Sequence, residues 1–234
     1  MTQVLTELPQ DVQAAVQATR EDVARLHAEL PANNLVVWTA GNVSGRVAGA
    51  DLFVIKPSGV RYDELSAETM VVCDLDGNKI VDGTPDRLSP SSDTAAHAYV
   101  YRHMPEVGGV VHTHSTYATA FAAVHRPIPC VLTMMGDEFG GEVPDGPFAI
   151  IGDDSMGRGI VETLKESRSP AVLMAYHGPF TIGKDATSAV KAAVMVEEVA
   201  RTVAAAEQIG KPVPVAQEHI DSLYARYQNV YGQH

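Results

Sequence analysis

The stretch GGVVHTHSTYA, residues 108–118, places two histidines one residue apart, directly after an apolar run. Two glycines followed by two valines predict a buried strand, and Ser115 and Thr116 begin a segment of helical composition. In a strand, alternate side chains project from the same face, so His112 and His114 stand about 6.6 Å apart along it. This spacing lets both imidazoles reach one metal ion, and the alternation of strand and helix indicates an α/β fold.

Composition limits the classes of protein to which the chain can belong. Its 234 residues are 45% hydrophobic, which is enough for one sizeable core. We find no internal repeat and no linker-like segment, so we expect a single domain over residues 1–234. The formal net charge of −12, with 17 Lys and Arg, argues against partners such as nucleic acids or anionic membranes, which require clustered cationic side chains.

The expected location is the cytoplasm. The N-terminus lacks the cationic start and unbroken apolar stretch of a signal peptide. No segment approaches the roughly 18 consecutive apolar residues of a membrane helix. Cys73 and Cys130 lie far apart in apolar runs, as is typical of buried free thiols, which predicts a reduced protein.

Hydrophobic periodicity and turn signals predict the order of helices and strands. Helices are predicted at 9–30, about 91–104, 115–125, 153–167, 185–210 and 216–227. Strands are predicted at 35–39, 51–56, 70–75, 79–81, 108–114 and 127–134, with two more that meet at a turn within 171–183. Hairpins come early and strands alternate with helices later, so the predicted fold class is α/β, a single layered domain.

A catalytic zinc site needs more ligands than the two histidines of the first motif. His177 stands at the end of an apolar strand and before a Gly-Pro turn, where a side chain can point into a cleft. Asp93, in the first turn of a predicted helix, is the best carboxylate. His97 lies one turn later on the same face, so the residues by themselves leave Asp93 and His97 as alternatives.

Three segments have features suited to binding an anion. TAGNVSG (39–45) and KPSG (56–59) follow predicted strands and expose backbone amides through glycine, whereas PSSD (90–93) offers two hydroxyls at a helix start. Each would more often be an ordinary turn, but the three together are suggestive. Lys56 would add the positive charge needed to hold a phosphate in an otherwise acidic protein.

Five motifs make the chain resemble the class II aldolase and adducin family. They are, in order, GNVS (41–44), KPSG (56–59), PSSDT (90–94), HTH (112–114) and HGPF (177–180). The similarity runs from about Leu35 to the C-terminal VYGQ, nearly the whole chain. It implies a class II aldolase-like domain, with a central mixed, largely antiparallel sheet flanked by helices.

The resemblance also implies ligands, substrate contacts and an assembly. One divalent metal per subunit, usually Zn²⁺ with Mn²⁺ or Co²⁺ as alternatives, would be held by Asp93, His112, His114 and His177. A sugar phosphate would be contacted by Gly41, Asn42, Lys56, Ser58, Gly59, Ser91 and Ser92. The implied assembly is a homotetramer with active sites at subunit interfaces.

Asp93 distinguishes the branches of the family. Aldolases typically carry Glu at this position and epimerases carry Asp, so the resemblance settles the choice between Asp93 and His97 and implies an epimerase. The implied reaction converts L-ribulose 5-phosphate to D-xylulose 5-phosphate, as in the use of arabinose. A class II aldolase acting on a substrate such as fuculose 1-phosphate is the alternative, and a non-catalytic adducin-like interaction module, expected to lack metal ligands, is a distant one.

Two further residues match catalytic positions of the family's epimerases, namely Asp137 and Tyr231. The neighbours of Asp137 differ from the family pattern, which has His-Ala before it and Tyr after it, so Glu138 is a rival for its role. C4 of a ribulose phosphate is not adjacent to the carbonyl and bears no acidic hydrogen. Inversion therefore requires the C3–C4 bond to break and re-form, with a proton carrier on each face.

Overall fold

The structure, a computed structural model, describes residues 3–230 and within them contains one seven-stranded sheet. Its strands are β1 (Asn42–Arg46), β2 (Leu52–Ile55), β3 (Val71–Asp74), β4 (Gly109–His112), β5 (Asp145–Gly146), β6 (Ala171–Met174) and β7 (Gly178–Gly183). Their spatial order is β3-β2-β1-β4-β7-β6-β5. Every neighbouring pair is antiparallel except β5 and β6. The mixed, largely antiparallel sheet is thus confirmed.

Helices cover this sheet. They are α1 (Gln10–His27), α2 (Glu29–Ala32), α3 (Thr94–His103), α4 (Thr116–Ala123), α5 (Thr133–Phe139), α6 (Asp154–Lys165), α7 (Ala186–Ile209) and α8 (Gln217–Val230). Short 3₁₀ turns occur at Leu5–Glu7, Tyr62–Glu64 and Ala67–Thr69. Across residues 3–230, no helix combines the length and the apolar character that a membrane crossing requires.

Both faces of the sheet are buried beneath helices. Phe53 and Ile55 of β2 belong to a core shared with α3 and α6, whereas Val54 between them belongs to a core shared with α1. The same alternation separates Val110 from Val111 in β4. Because neither face meets solvent, these strands are nearly continuous apolar runs, which is why they can be identified from the sequence.

The strand predicted at 35–39 is wrong, because this segment forms a turn. Trp38 adopts a φ of 61°, and the Ala40 N–H donates to the Val37 carbonyl at 3.1 Å. A β-rich composition yields a strand only where neighbouring strands can pair with it. Pairing with neighbouring strands begins at Asn42. Residues 42–45 of the TAGNVSG segment, which we expected to form an anion-binding loop after a strand, therefore belong to β1.

The predicted strands at 127–134 and 79–81 are also wrong. Ile128 forms an isolated bridge, but Pro127 and Pro129 have no N–H to donate to a neighbouring strand, and the chain enters α5 soon afterwards. Residues 79–81 likewise contribute isolated bridges instead of a strand. The other predicted helices and strands lie where expected to within a few residues.

Gly109 lets the central strand β4 lie directly against the start of α7. A Cβ at Gly109 would lie 2.4 Å from the Ala186 Cα and 2.5 Å from the Ala186 backbone nitrogen. Backbone atoms cannot move aside as a flexible side chain can. This position therefore requires glycine if β4 and α7 are to keep their spacing.

We expect Gly109→Ala to lower the free energy of unfolding by about 1–3 kcal/mol, because the added methyl group forces β4 and α7 apart. Urea denaturation followed by circular dichroism measures this change. Gly210→Ala is the matched control, since its backbone is extended (φ 177°) and no described atom lies within 4 Å of the added carbon. Equal destabilisation by the two substitutions would contradict the packing argument.

Candidate active site

The end of β4 brings two histidine side chains together. The Nδ1 atom of His112 lies 3.0 Å from the Pro179 carbonyl oxygen, which can only accept a hydrogen bond. Neutral His112 therefore carries its proton on Nδ1 and presents the lone pair of Nε2. That Nε2 atom lies 2.9 Å from Nε2 of His114, so the two rings converge on one point.

The turn between β6 and β7 contributes a third imidazole, that of His177. The turn packs closely on the end of β4, because a Cβ at Gly178 would lie 2.7 Å from the Thr113 carbonyl oxygen. The rings of His112 and His177 have their centroids 4.6 Å apart. One ligand nitrogen from each of His112, His114 and His177 lies within 4.8 Å of the others, so the structure brings together the three histidines expected to bind metal.

Asp93 stands beside these histidines at the residue before α3. Its Oδ2 accepts a hydrogen bond from Asn42 Nδ2 at 2.8 Å, and Asn42 is the residue that pairs with His112 across β1 and β4. Burial works to raise the pKa of the Asp93 carboxyl, but His112, His97 and the Asn42 hydrogen bond outweigh it and hold that pKa below its usual value. Asp93 is therefore a carboxylate at neutral pH.

His97, the alternative to Asp93, does not line the cavity that Asp93 lines. Its ring is fully buried, and Nδ1 lies 2.7 Å from Ser44 Oγ. Ser44 Oγ in turn lies 2.7 Å from the Tyr101 hydroxyl. His97 thus belongs to a polar network that connects β1 with α3.

The donor set at this point fits a divalent cation such as zinc. Oδ1 of Asp93 and Nε2 of His177 are buried and have no hydrogen-bond partner among residues 3–230. Burial lowers the pKa of His112 to about 3 and also lowers the pKa values of His114 and His177. Neutral imidazoles next to one carboxylate are the ligands that zinc prefers. A cation here would be coordinated by atoms that otherwise lack partners.

A cavity of about 340 Å³ opens beside this cluster. Asp93, His114 and His177 form part of its wall. The residues expected to contact substrate also line it, namely Gly41, Asn42, Lys56, Ser58, Gly59, Ser91 and Ser92. The metal-binding and anion-binding predictions therefore meet in one cavity.

Backbone pairing explains how the KPSG and PSSD segments come together. The Ser91 N–H donates to the Lys56 carbonyl at 3.0 Å, and the Ser58 N–H donates to the Ser89 carbonyl at 2.8 Å. Lys56 is buried, and this burial lowers the pKa of its ammonium group to about 8. It donates to the Thr39 and Pro57 carbonyls, so at neutral pH the cavity contains a cation held by backbone oxygens.

Asp137 lies elsewhere, on α5. It accepts a hydrogen bond from Arg226 of α8 at 3.3 Å and is not among the residues that line the cavity of its own chain. Glu138 accepts hydrogen bonds from Lys191 at 2.7 Å and from the Tyr227 hydroxyl at 2.6 Å. These contacts connect α5 with α7 and α8. The remaining predicted catalytic residue, Tyr231, falls outside the described residues.

Two residues at the site were missed by the sequence analysis. Ile151 supplies an apolar part of the cavity wall, and nothing in its sequence context indicated this. Tyr62 donates to the Ala40 carbonyl at 2.8 Å and so contacts the segment that forms the cavity wall. The sequence did offer one indication of this role. Tyr62 follows KPSG by three residues, so its backbone must lie near KPSG.

The chain matches one protein family and several named proteins. The model of the family described as "Class II Aldolase and Adducin N-terminal domain" matches residues 21–204. The protein named L-ribulose-5-phosphate 4-epimerase UlaF from Salmonella paratyphi B is 42% identical over 199 residues, which cover 80% of this chain and 84% of that protein. UlaF proteins from Salmonella paratyphi A and Salmonella typhi match with the same identity and coverage.

Solved structures show the same fold. A structure titled L-fuculose 1-phosphate aldolase matches with a TM-score of 0.82 at 25% identity, covering 90% of this chain and 96% of that one. An L-fuculose-1-phosphate aldolase from Thermus thermophilus matches with a TM-score of 0.69 at 24% identity, covering 86% and 99%. The layered α/β architecture is thus shared with class II aldolases.

We expect His112→Ala to abolish stoichiometric binding of a divalent metal, because it removes the central buried nitrogen of the cluster. Metal content after loading with zinc and desalting, measured by plasma mass spectrometry, should fall from about one ion per chain to near zero. His219→Ala is the control, since this exposed histidine of α8 lies far from the cluster in the chain. Full zinc content in the His112 variant would contradict the assignment.

Proposed function

This chain belongs to the class II aldolase and adducin family, and we propose that it converts L-ribulose 5-phosphate to D-xylulose 5-phosphate by epimerisation at C4. The observation that carries the proposal is the shared cavity, in which a three-histidine cluster and Asp93 lie next to Lys56 and the Ser/Gly segments. A sugar phosphate has the two features that such a cavity accommodates, oxygens that bind a metal and an anionic group. The relatives at 42% identity bear the name of this epimerase.

We assign the metal to Asp93, His112, His114 and His177, with zinc as the expected ion and manganese or cobalt as alternatives. Bound there, a divalent cation supplies Lewis-acid stabilisation of the negative charge that develops on substrate oxygens when the C3–C4 bond breaks. The Asn42 hydrogen bond keeps the Asp93 carboxylate in place, and the Pro179 carbonyl keeps His112 in one tautomer.

The phosphate group is assigned to the cavity-lining residues that are not expected to bind the metal. Lys56 supplies the cation, and the segments that contain Gly41, Ser58, Gly59, Ser91 and Ser92 supply hydroxyl and backbone N–H groups. A firm hold on the phosphate keeps the two-carbon fragment within reach after cleavage. The fragment can then turn its carbonyl face without leaving the site, which distinguishes an epimerase from an aldolase.

The proton carriers in this proposal are Asp137 and Tyr231, one for each face of the substrate. One accepts the proton of the C4 hydroxyl as the C3–C4 bond breaks, and the other donates a proton to the new C4 oxygen when the bond re-forms. Asp137 contacts Arg226 of α8, and Tyr231 directly follows the last residue of that helix in the sequence.

Because Asp137 lies outside the cavity of its own chain, we propose that it acts in the cavity of a neighbouring subunit, within a homotetramer. Exposed apolar residues near the cavity support such a contact. Trp38 and Val37 precede the cavity-lining Thr39, Ile150 precedes Ile151, and Tyr176 precedes His177. Large apolar side chains that are exposed beside a cavity are typical of an interface.

A class II aldolase is the second candidate, favoured by the TM-score of 0.82 with L-fuculose 1-phosphate aldolase. It differs from the first candidate in its product, since an aldolase releases the aldehyde that an epimerase retains. The presence of all four residues expected to bind the metal argues against a non-catalytic adducin-like module. A cytoplasmic location, expected from the sequence composition, and a role in arabinose use, which rests on the resemblance, are further parts of the proposal.

We expect the purified protein, loaded with zinc or manganese, to form D-xylulose 5-phosphate from L-ribulose 5-phosphate with little free glycolaldehyde phosphate. Activity should disappear with a chelator, return with added metal, and be absent in His112→Ala. Coupled assays for both products measure these outcomes. Free aldehyde without the epimer would support the aldolase instead, and no turnover by metal-loaded protein would contradict L-ribulose 5-phosphate as the substrate.

We expect Asp137→Asn and Tyr231→Phe each to slow epimerisation by roughly 10² or more, with the metal still bound, because each removes one proton carrier. Glu138→Gln should leave kcat within about threefold, since a partly exposed ion pair such as that with Lys191 is worth about 0–1 kcal/mol. Steady-state kinetics and metal content provide the comparison. A larger loss in Glu138→Gln than in Asp137→Asn would transfer the acid/base role to Glu138.

A further inference from the structure

Tyr62 connects the cavity wall with the 3₁₀ turn that follows KPSG. Its hydroxyl lies 2.8 Å from the Ala40 carbonyl oxygen and 3.2 Å from the Gly41 carbonyl oxygen. Burial raises the pKa of this phenol well above its ordinary value, so the hydroxyl keeps its proton and acts as a donor. Two successive backbone carbonyls are thereby held toward one side chain.

Holding the carbonyls in this way also orients the N–H groups of the same peptide units. A trans peptide directs its C=O and N–H to opposite sides, so the Ala40 carbonyl opposes the Gly41 N–H and the Gly41 carbonyl opposes the Asn42 N–H. With both carbonyls directed at Tyr62, the two N–H groups point away from it. The Asn42 N–H faces β4, because the Arg46 N–H donates to the Gly108 carbonyl in the same register and alternate residues of β1 donate to the same neighbour. The Gly41 N–H, in a residue with a positive φ of 77°, is therefore the amide of this turn that can bind an anion.

Close packing fixes the position of this turn. A Cβ at Gly41 would lie 2.6 Å from Val36 Cγ1, 2.9 Å from the His112 carbonyl oxygen and 3.5 Å from the Tyr62 hydroxyl oxygen. The turn therefore fits tightly between Tyr62 and the strand that bears His112. Without the hydroxyl, the two carbonyls lose their donor and the turn loses its hydrogen-bonded contact with the Tyr62 side chain.

The ring of Tyr62 contacts the cation of the cavity as well. Lys56 Nζ lies 5.5 Å from the ring centroid, within the range of a cation–π interaction, and Nζ also donates to the Thr39 carbonyl at 3.2 Å. Tyr62 thus touches both the turn at residues 39–42 and the ammonium group of Lys56. Both line the cavity in which the phosphate group is proposed to bind.

We infer that Tyr62 is a positioning residue, which holds the turn at residues 39–42 and the Lys56 ammonium in the arrangement that binds the phosphate group of the substrate. This inference rests on the proposed function for the identity of the ligand. Tyr62 itself acts through Ala40, Gly41 and Lys56, and it is not assigned a step in the chemistry.

The test compares Tyr62→Phe with the wild-type protein, both loaded with metal. Isothermal titration calorimetry with inorganic phosphate measures the affinity of the anion site, and kinetics with L-ribulose 5-phosphate separate KM from kcat. We expect the phosphate Kd and the KM to rise about fivefold to tenfold, as for the loss of one hydrogen bond. The kcat and the metal content should stay within about twofold, because the metal cluster is untouched.

Tyr101→Phe is the matched control. Tyr101 is also buried, and its replacement by Phe also removes a hydroxyl contact with β1, the one to Ser44. The described contacts of Tyr101 include neither the turn at residues 39–42 nor Lys56. Phosphate affinity should be unchanged in this variant even if its melting temperature falls as much as that of Tyr62→Phe. Equal weakening of phosphate binding in both variants would overturn the inference, because it would reveal a general loss of structure.

The remaining outcomes separate this inference from the proposed function. Unchanged phosphate Kd in Tyr62→Phe would overturn the positioning role even if wild-type protein epimerises L-ribulose 5-phosphate. Weakened phosphate binding in Tyr62→Phe, with no turnover of that substrate by wild type, would support the positioning role and overturn the proposed substrate. Absence of phosphate binding by metal-loaded wild type would overturn the inference directly.

Discussion

The register of β4 between β1 and β7 is the constraint on which the site depends. Asn42 pairs with His112 on one side, and Phe180 pairs with His112 on the other. A slip of one residue would turn His112 to the opposite face of the sheet, since side chains alternate along a strand. In the observed register, the end of β4 meets both the start of β1 and the turn that carries His177.

That register also supplies the hydrogen bonds that orient the ligands. The Pro179 carbonyl, at the start of β7, accepts a hydrogen bond from Nδ1 of His112, and Asn42, at the start of β1, donates a hydrogen bond to the carboxylate of Asp93. Asn42 and Pro179 lie next to Asp93 and His112 only because β4 ends where β1 and β7 begin. Burial then keeps the imidazoles neutral, and the surrounding polar groups keep the single carboxylate ionised. Backbone geometry and electrostatics therefore favour the same occupant, a divalent cation.

Much of the fold could be predicted because its central strands are buried on both faces and appear as apolar runs. The prediction failed where composition resembled a strand but pairing was impossible. Residues 127–134 contain two prolines that cannot donate to a sheet, and residues 35–39 turn before they reach a neighbouring strand. Propensity describes the preference of a segment, whereas a strand also requires a partner.

The sequence by itself determined the types of ligand, the apolar strands, and the resemblance carried by five ordered motifs. The choice between Asp93 and His97 was open on spacing, because both lie on one helical face. The tertiary structure turns His97 toward Ser44 and places Asp93 in the cavity. It also placed Asp137 and Glu138 against α8, and Tyr62 against the turn at residues 39–42. These placements could be decided only by tertiary structure, because each joins residues that are distant in the chain and brought together by strand register and helix packing.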